Sequence, residues 1–212
     1  MIIPIHPDYY DTGNPLYKYN EIDLKPGITS LVGCNGSGKT TLLHQINDYS
    51  NTHKVKCISY NDRLDGHSNL MGKLLWDGKT EDLANLAMSS EGERNYFGVG
   101  SFVQKVGRTI RECSKAAISD LIILLDATDS GMSIDNIEEL REVFLDIIIP
   151  DAAQNNVSLY VVVASNNYEW VHDDRITTMN VVTGKHLKNL TYSMWKRCIK
   201  STRSYKDKRV AD

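Results

Sequence analysis

The stretch Gly33-Cys34-Asn35-Gly36-Ser37-Gly38-Lys39-Thr40 constrains this chain more than any other. It fits the phosphate-loop pattern G-x-x-x-x-G-K-[ST] without a mismatch, and its flanks suit the pattern. Ile28-Thr29-Ser30-Leu31-Val32 before it reads as a short buried strand, and Thr40-Thr41-Leu42-Leu43-His44-Gln45-Ile46 after it reads as a helix. Glycines let the backbone curl its N–H groups inward around phosphate oxygens. Asn35, Gly36, Ser37, Gly38, Lys39, Thr40 and Thr41 are the candidate phosphate contacts. Lys39 supplies a point charge, the Thr40 hydroxyl can ligate Mg²⁺, and the following helix aims its positive end at the anion. The expected ligand is a nucleoside triphosphate with Mg²⁺.

A length of 212 residues allows one α/β domain with a sizeable core. A hydrophobic share of 41% and a net charge of −3 are ordinary for a globular chain and argue against a protein that coats nucleic acid. Cysteines at 34, 57, 113 and 198 form no C-x-x-C pair, so neither a zinc site nor a disulfide framework is expected. The N-terminal residues Met1 to Pro7 lack the features of a signal peptide, and no run of about 18 apolar residues predicts a membrane helix. A reducing, cytoplasmic setting without direct membrane insertion is expected.

The pattern along the chain predicts an α/β fold with a mostly parallel central sheet, an N-terminal antiparallel portion and a C-terminal hairpin. Short strands are expected near residues 2–5 and 16–24, a helix over 38–49, a strand over 55–60 and mostly helix over 68–88. Ser90 and Glu93 have capping-box spacing, which predicts a helix from Ser90 to about Ser114. Asp120-Leu121-Ile122-Ile123-Leu124-Leu125-Asp126 reads as a parallel strand buried on both faces. Ser133 is expected to cap a helix that Pro150 ends, followed by a strand over 157–164 and a hairpin turning at Thr183-Gly184-Lys185. Residues 1–195 are expected to form a single domain and 196–212 a basic tail, which can bind nucleic acid but is more simply a solvated charge run.

A carboxylate at the C-terminal edge of a parallel sheet lies beside a phosphate loop on that same edge, so Asp126 is a candidate Mg²⁺ ligand. The order of these motifs resembles the ATP-binding cassette superfamily. Besides the phosphate loop, Ser89-Ser90-Glu91-Gly92-Glu93 resembles a degenerate Leu-Ser-Gly-Gly-Gln signature, and Asp129-Ser130-Gly131-Met132-Ser133-Ile134-Asp135 is similar to the D-loop. The strand 161–164 ends where the superfamily places its switch residue, and the match in order covers nearly all of residues 20–167. The resemblance implies an ATPase that forms a head-to-tail homodimer around two ATP molecules. Ser90 and Gly92 would then contact ATP bound to the facing subunit. It also implies a contact from Asn61 or Asp62 to Mg²⁺ and water, and an adenine-stacking aromatic at Tyr10 or Tyr17.

Two positions depart from that superfamily. Ala127 stands where a Glu normally polarises the attacking water, and the switch position falls on Ser165 or Asn166, neither of which titrates. ATP binding and dimerisation are expected to survive, with hydrolysis slow or dependent on another group. Asp129 is the nearest alternative acid. The short spacing from Asp62 to Ser89 resembles a minimal stand-alone cassette acting as a switch on an unknown effector protein. The ATP-binding subunit of a transporter and a P-loop kinase of small molecules are the alternatives. Arg63, Arg94, Arg108 and Arg111 are too dispersed for the Arg-rich lid a kinase would want.

Overall fold

The computed structural model describes residues 1–61, 91–129 and 132–211. In chain order the described strands are β1 (Ile2–Pro4), β2 (Glu21–Asp23), β3 (Gly27–Val32), β4 (Lys56–Asn61), β5 (Asp120–Asp126), β6 (Ser158–Ala164), β7 (Thr177–Asn180) and β8 (His186–Leu187). Helix α1 (Lys39–His53) follows β3, and α2 (Glu91–Lys115) precedes β5. A long helix, α3, joins β5 to β6 through the stretches Ile134–Glu142, Val143–Ile148 and Ile149–Gln154. Helix α4 (Tyr192–Ala211) closes the described chain.

Six strands form one sheet in the order β4-β5-β6-β3-β7-β8, and β1 and β2 form a separate antiparallel pair. Among the described strands of this sheet, β4, β5, β6, β3 and β7 run parallel, and β8 pairs antiparallel to β7. Alternation along β5 and β6 explains the layering. Leu121, Ile123, Leu125, Leu159, Val161 and Val163 pack with Phe102, Val106 and Ile110 of α2 and Phe144 of α3. Ile122, Leu124 and Val162 face the other way, onto Leu42 and Ile46 of α1 and onto Ile3, Ile22 and Leu24 of the N-terminal portion. A strand covered on both faces has no polar side, which is why β5 is apolar without a break from Leu121 to Leu125.

Several elements differ from the sequence expectation. The strand expected over 16–24 is confined to β2, because Leu16 and Tyr17 are instead buried beneath the phosphate loop. Pro150 does not end its helix. The preceding stretch Val143–Ile148 widens to a π-helix in which the Ile149 N–H donates to the Phe144 carbonyl. That wider turn accommodates a ring that would crowd the carbonyl four residues back, and the helix runs on to Gln154. The basic segment expected as a tail is all but the first turn of α4, a helix that packs near the end of β3 through Trp195, Cys198 and Ile199. The helical expectation over 68–88 lies outside the described residues.

Phe144 is fully buried at the widened turn, between the sheet and α2. Phe144→Ala is expected to lower stability by about 3–5 kcal/mol, the usual scale for emptying an aromatic site in a core. Chemical denaturation at equilibrium measures this, and a change below about 1 kcal/mol would mean that the helix collapses into the space.

Candidate phosphate-binding site

The loop between β3 and α1 is built around backbone that only glycine adopts without strain. Gly36 has φ 75° and Gly38 φ 98°. The Ser37 N–H donates to the Cys34 carbonyl at 3.1 Å, closing the turn. The Tyr17 hydroxyl donates to the Gly38 carbonyl at 2.7 Å from beneath, in a position so buried that its ionisation is pushed far up. Tyr17 is therefore part of the loop's support, unlike the stacking role open to it from sequence. Tyr10 is 62% exposed on the cleft wall, with its hydroxyl 3.3 Å from Thr41 Oγ1, and keeps a ring face available.

A cleft of about 860 Å³ lies over the loop, within the size range of small-ligand sites. Asn35, Gly36, Gly38, Lys39, Thr40 and Thr41 line one side, and Asn61, Asp126, Ala127, Asp129 and Asn166 line the other. Ser37 is the exception among the loop residues named from sequence. Its side chain is buried, and its Oγ has no hydrogen-bond partner among the described residues.

The sheet order brings the ends of β4, β5 and β6 to this cleft. The Thr40 hydroxyl donates to Asp126 Oδ1 at 3.1 Å, and Asn61 Nδ2 donates to Asp126 Oδ2 at 2.9 Å. A hydroxyl and a carboxylate side by side are hard oxygen donors. Mg²⁺ is usually held by one or two protein oxygens together with phosphate and water, and this pair fits that donor set. Among the described residues no cluster of three His, Cys, Asp or Glu forms an all-protein metal cage.

Lys39 folds over its own loop. Its Nζ donates to the carbonyls of Gly33 at 2.8 Å and Cys34 at 3.3 Å, and to Asn166 Oδ1 at 2.9 Å. Burial lowers the pKa of the ammonium, while the Cys34 thiol and the carboxylates of Asp129 and Asp126 pull it back up. An arriving polyphosphate would restore charge compensation that the carbonyls supply only in part.

Of the two residues open for the switch position, Asn166 reaches the cleft and touches Lys39, whereas Ser165 lies beneath it, 6% exposed. Ser165 Oγ donates to Asp129 Oδ2 at 2.7 Å, the Asn166 N–H donates to the same oxygen at 3.2 Å, and the Asn167 N–H donates to Ser165 Oγ at 2.9 Å. Asp129 thus ties the loop after β5 to the loop after β6. Ala127, beside Asp126, has φ 54°, a left-handed conformation that is unusual for a residue with a Cβ. Ser90 and Asp62 lie outside the described residues, and Gly92 falls in the first turn of α2.

The sequence reading missed the contribution of α4. Cys34 N–H donates to Thr202 Oγ1 at 2.9 Å, Lys206 Nζ donates to the Asn35 carbonyl at 3.2 Å, and Arg209 lines the cleft. Nothing in a charge run signals that it folds back onto a loop 170 residues earlier.

No family model and no curated protein matches the chain. Among solved structures, Trip13 of Rhizobiales is similar over 74% of this chain and 46% of that chain, at 14% identity and a TM-score of 0.37. The chain thus spans about half the length of that protein. No described helix is long and apolar enough to cross a membrane.

Asp129→Ala removes the acceptor of two hydrogen bonds and strands the buried Ser165 hydroxyl. A stability loss of about 1–3 kcal/mol is expected, the scale of an unsatisfied buried polar group. Thermal and denaturant unfolding measure it, and an unchanged midpoint would show that solvent replaces Asp129 without cost.

Proposed function

We propose that the chain binds ATP with Mg²⁺ at this cleft and hydrolyses it slowly, as a dimerisation switch of the ATP-binding cassette type. The observation that supports this best is the Thr40–Asp126 contact at 3.1 Å, which sets the phosphate-loop hydroxyl against the acid of a neighbouring strand end. Lys39 would meet the outer phosphates, the loop amides and the start of α1 would take the oxygens between them, and Thr40 with Asp126 would hold the cation. Bound there, Mg²⁺ would neutralise charge on the phosphoryl group as it leaves.

Hydrolysis forms a bond from the water oxygen to the γ-phosphorus, breaks the bond to the β–γ bridging oxygen and requires a proton to leave the water. Ala127 can neither accept nor orient that proton. Besides Asp126, which would hold the cation, Asp129 is the alternative acid on the wall, but one of its oxygens is engaged by Ser165 and Asn166. Asn166 can donate to a phosphate oxygen without titrating. These roles support a protein that holds ATP well and turns it over slowly. In the dimer, Ser90 and Gly92 of one copy would complete the site of the other, and the paired form would act on an effector protein.

Sedimentation with and without ATP and Mg²⁺ tests the switch. Monomers should pair only with ATP, and Lys39→Ala should abolish both binding and pairing. Tight ATP binding without any change in mass would rule out the composite site.

Ala127→Glu tests the chemistry. Ala127 already carries a Cβ at its positive φ, so the longer side chain adds little backbone strain. Turnover is expected to rise by about 10²-fold, the scale of a positioned base. Turnover that stays flat while ATP affinity is retained would place the limiting step elsewhere.

A further inference from the structure

Helix α4 brings a second set of cations to the phosphate cleft. Its seat is well fixed. Thr202 is 2% exposed, accepts from Cys34 N–H and donates to the Ile199 carbonyl. Asn180 Nδ2 donates to Cys198 Sγ, and the Tyr205 hydroxyl donates to the Pro15 carbonyl at 2.9 Å. The helix is thereby pinned to the phosphate loop, to β7 and to the N-terminal portion at once.

On the face so fixed, Lys206 and Arg209 are three residues apart and share one side of the helix. Lys206 Nζ lies against the loop at Asn35 and Gly36, so close that a Cβ on Gly36 would meet it at 3.0 Å. Arg209 stands one turn further on, on the cleft wall shared with Tyr10 and Thr41. It also borders a smaller cleft toward Lys18 and Lys208. Among the described residues, none of Lys18, Lys206, Lys208 and Arg209 has an acidic partner within ion-pair distance. Lys206 and Arg209 are half-buried toward the loop, whereas Lys196, Arg197, Lys200 and Arg203 on the same helix are exposed. Lys206 and Arg209, without acidic partners of their own, add positive charge beside a cleft in which Lys39 already faces Asp126 and Asp129, and an anion relieves that added charge.

We infer that Lys206 and Arg209 are nucleotide-binding residues that grip the ATP polyphosphate beside the loop amides, at the end of the cleft that α4 closes. This deepens the ATP-binding reading and rests on it. Arg209 offers a fork of donors suited to phosphate oxygens, and Lys206 a point charge that can transfer from the Asn35 carbonyl to a phosphate. The half-burial of the pair toward the loop favours a nucleotide over a nucleic-acid strand, which the exposed cations of the outer face would meet first.

Titration calorimetry with ATP and Mg²⁺ tests the inference on full-length protein carrying Lys206→Ala, Arg209→Ala, both together, and Arg209→Lys, with thermal melts confirming that each is folded. Each alanine is expected to weaken ATP binding about tenfold, the scale of one charge-assisted contact, with Arg209→Lys retaining much of the affinity. Wild-type ATP affinity in the double alanine variant would overturn the inference and leave the phosphate-loop reading intact. Loss of binding to a DNA oligonucleotide probe with ATP affinity retained would also overturn it, assigning the cations to nucleic acid. No ATP binding by the wild-type protein would overturn the phosphate-loop reading, and this inference with it.

Discussion

Gly33 has no room for a side chain. A Cβ there would collide with Ser37 Oγ and Val181 Cγ1, closer than non-bonded atoms approach. Without one, the phosphate loop can fold back on itself at Ser37 and lie close against the segment that leaves β7. The loop can be this tight only because β3, which delivers it, is an interior strand with β6 on one side and β7 on the other. A parallel sheet then directs the ends of β4, β5 and β6 to the same edge as the loop, so Asn61, Asp126 and Asn166 arrive at the cleft as a consequence of topology.

Around that edge the polar groups form one connected path. Lys39 reaches Asn166, whose N–H meets Asp129, which holds Ser165, while Thr40 reaches Asp126 and through it Asn61. A phosphate group that draws Lys39 off the loop carbonyls would release Asn166 at the same moment. The loops after β5 and β6 are tied to each other through Asp129, so a change at Asn166 bears directly on Asp129 and Ser165.

Much of this was legible in the sequence because it is local. Phosphate-loop spacing, the unbroken apolar run of β5 and its terminal acid each state their own structure within ten residues. What escaped depends on distant partners. Tyr17 reads like any strand tyrosine until Gly38 is set above it. Pro150 reads as a helix stop because periodicity says nothing of a π turn that absorbs the ring. Ser165 and Asn166 are adjacent and both polar, and only the geometry sends one to Asp129 and the other to Lys39. The basic run of α4 looks like a solvated tail because the threonine that anchors it, Thr202, is unremarkable in sequence.

Ala127 shows how the turn after a buried strand can be held without a functional side chain. Its N–H donates to the Ala164 carbonyl at 3.1 Å, which fixes the backbone at the end of β5 beside the end of β6. Its left-handed φ turns the chain sharply after Asp126, and Thr128 beyond it is buried at once. The turn that presents Asp126 to Thr40 is therefore maintained by backbone, not by the side chain at 127. A cleft can keep every group that neutralises phosphate charge and still lack the one that moves a proton. The groups that would neutralise phosphate charge, Lys39, Thr40 and the loop amides, line the cleft, whereas position 127 offers nothing beyond a methyl for moving a proton.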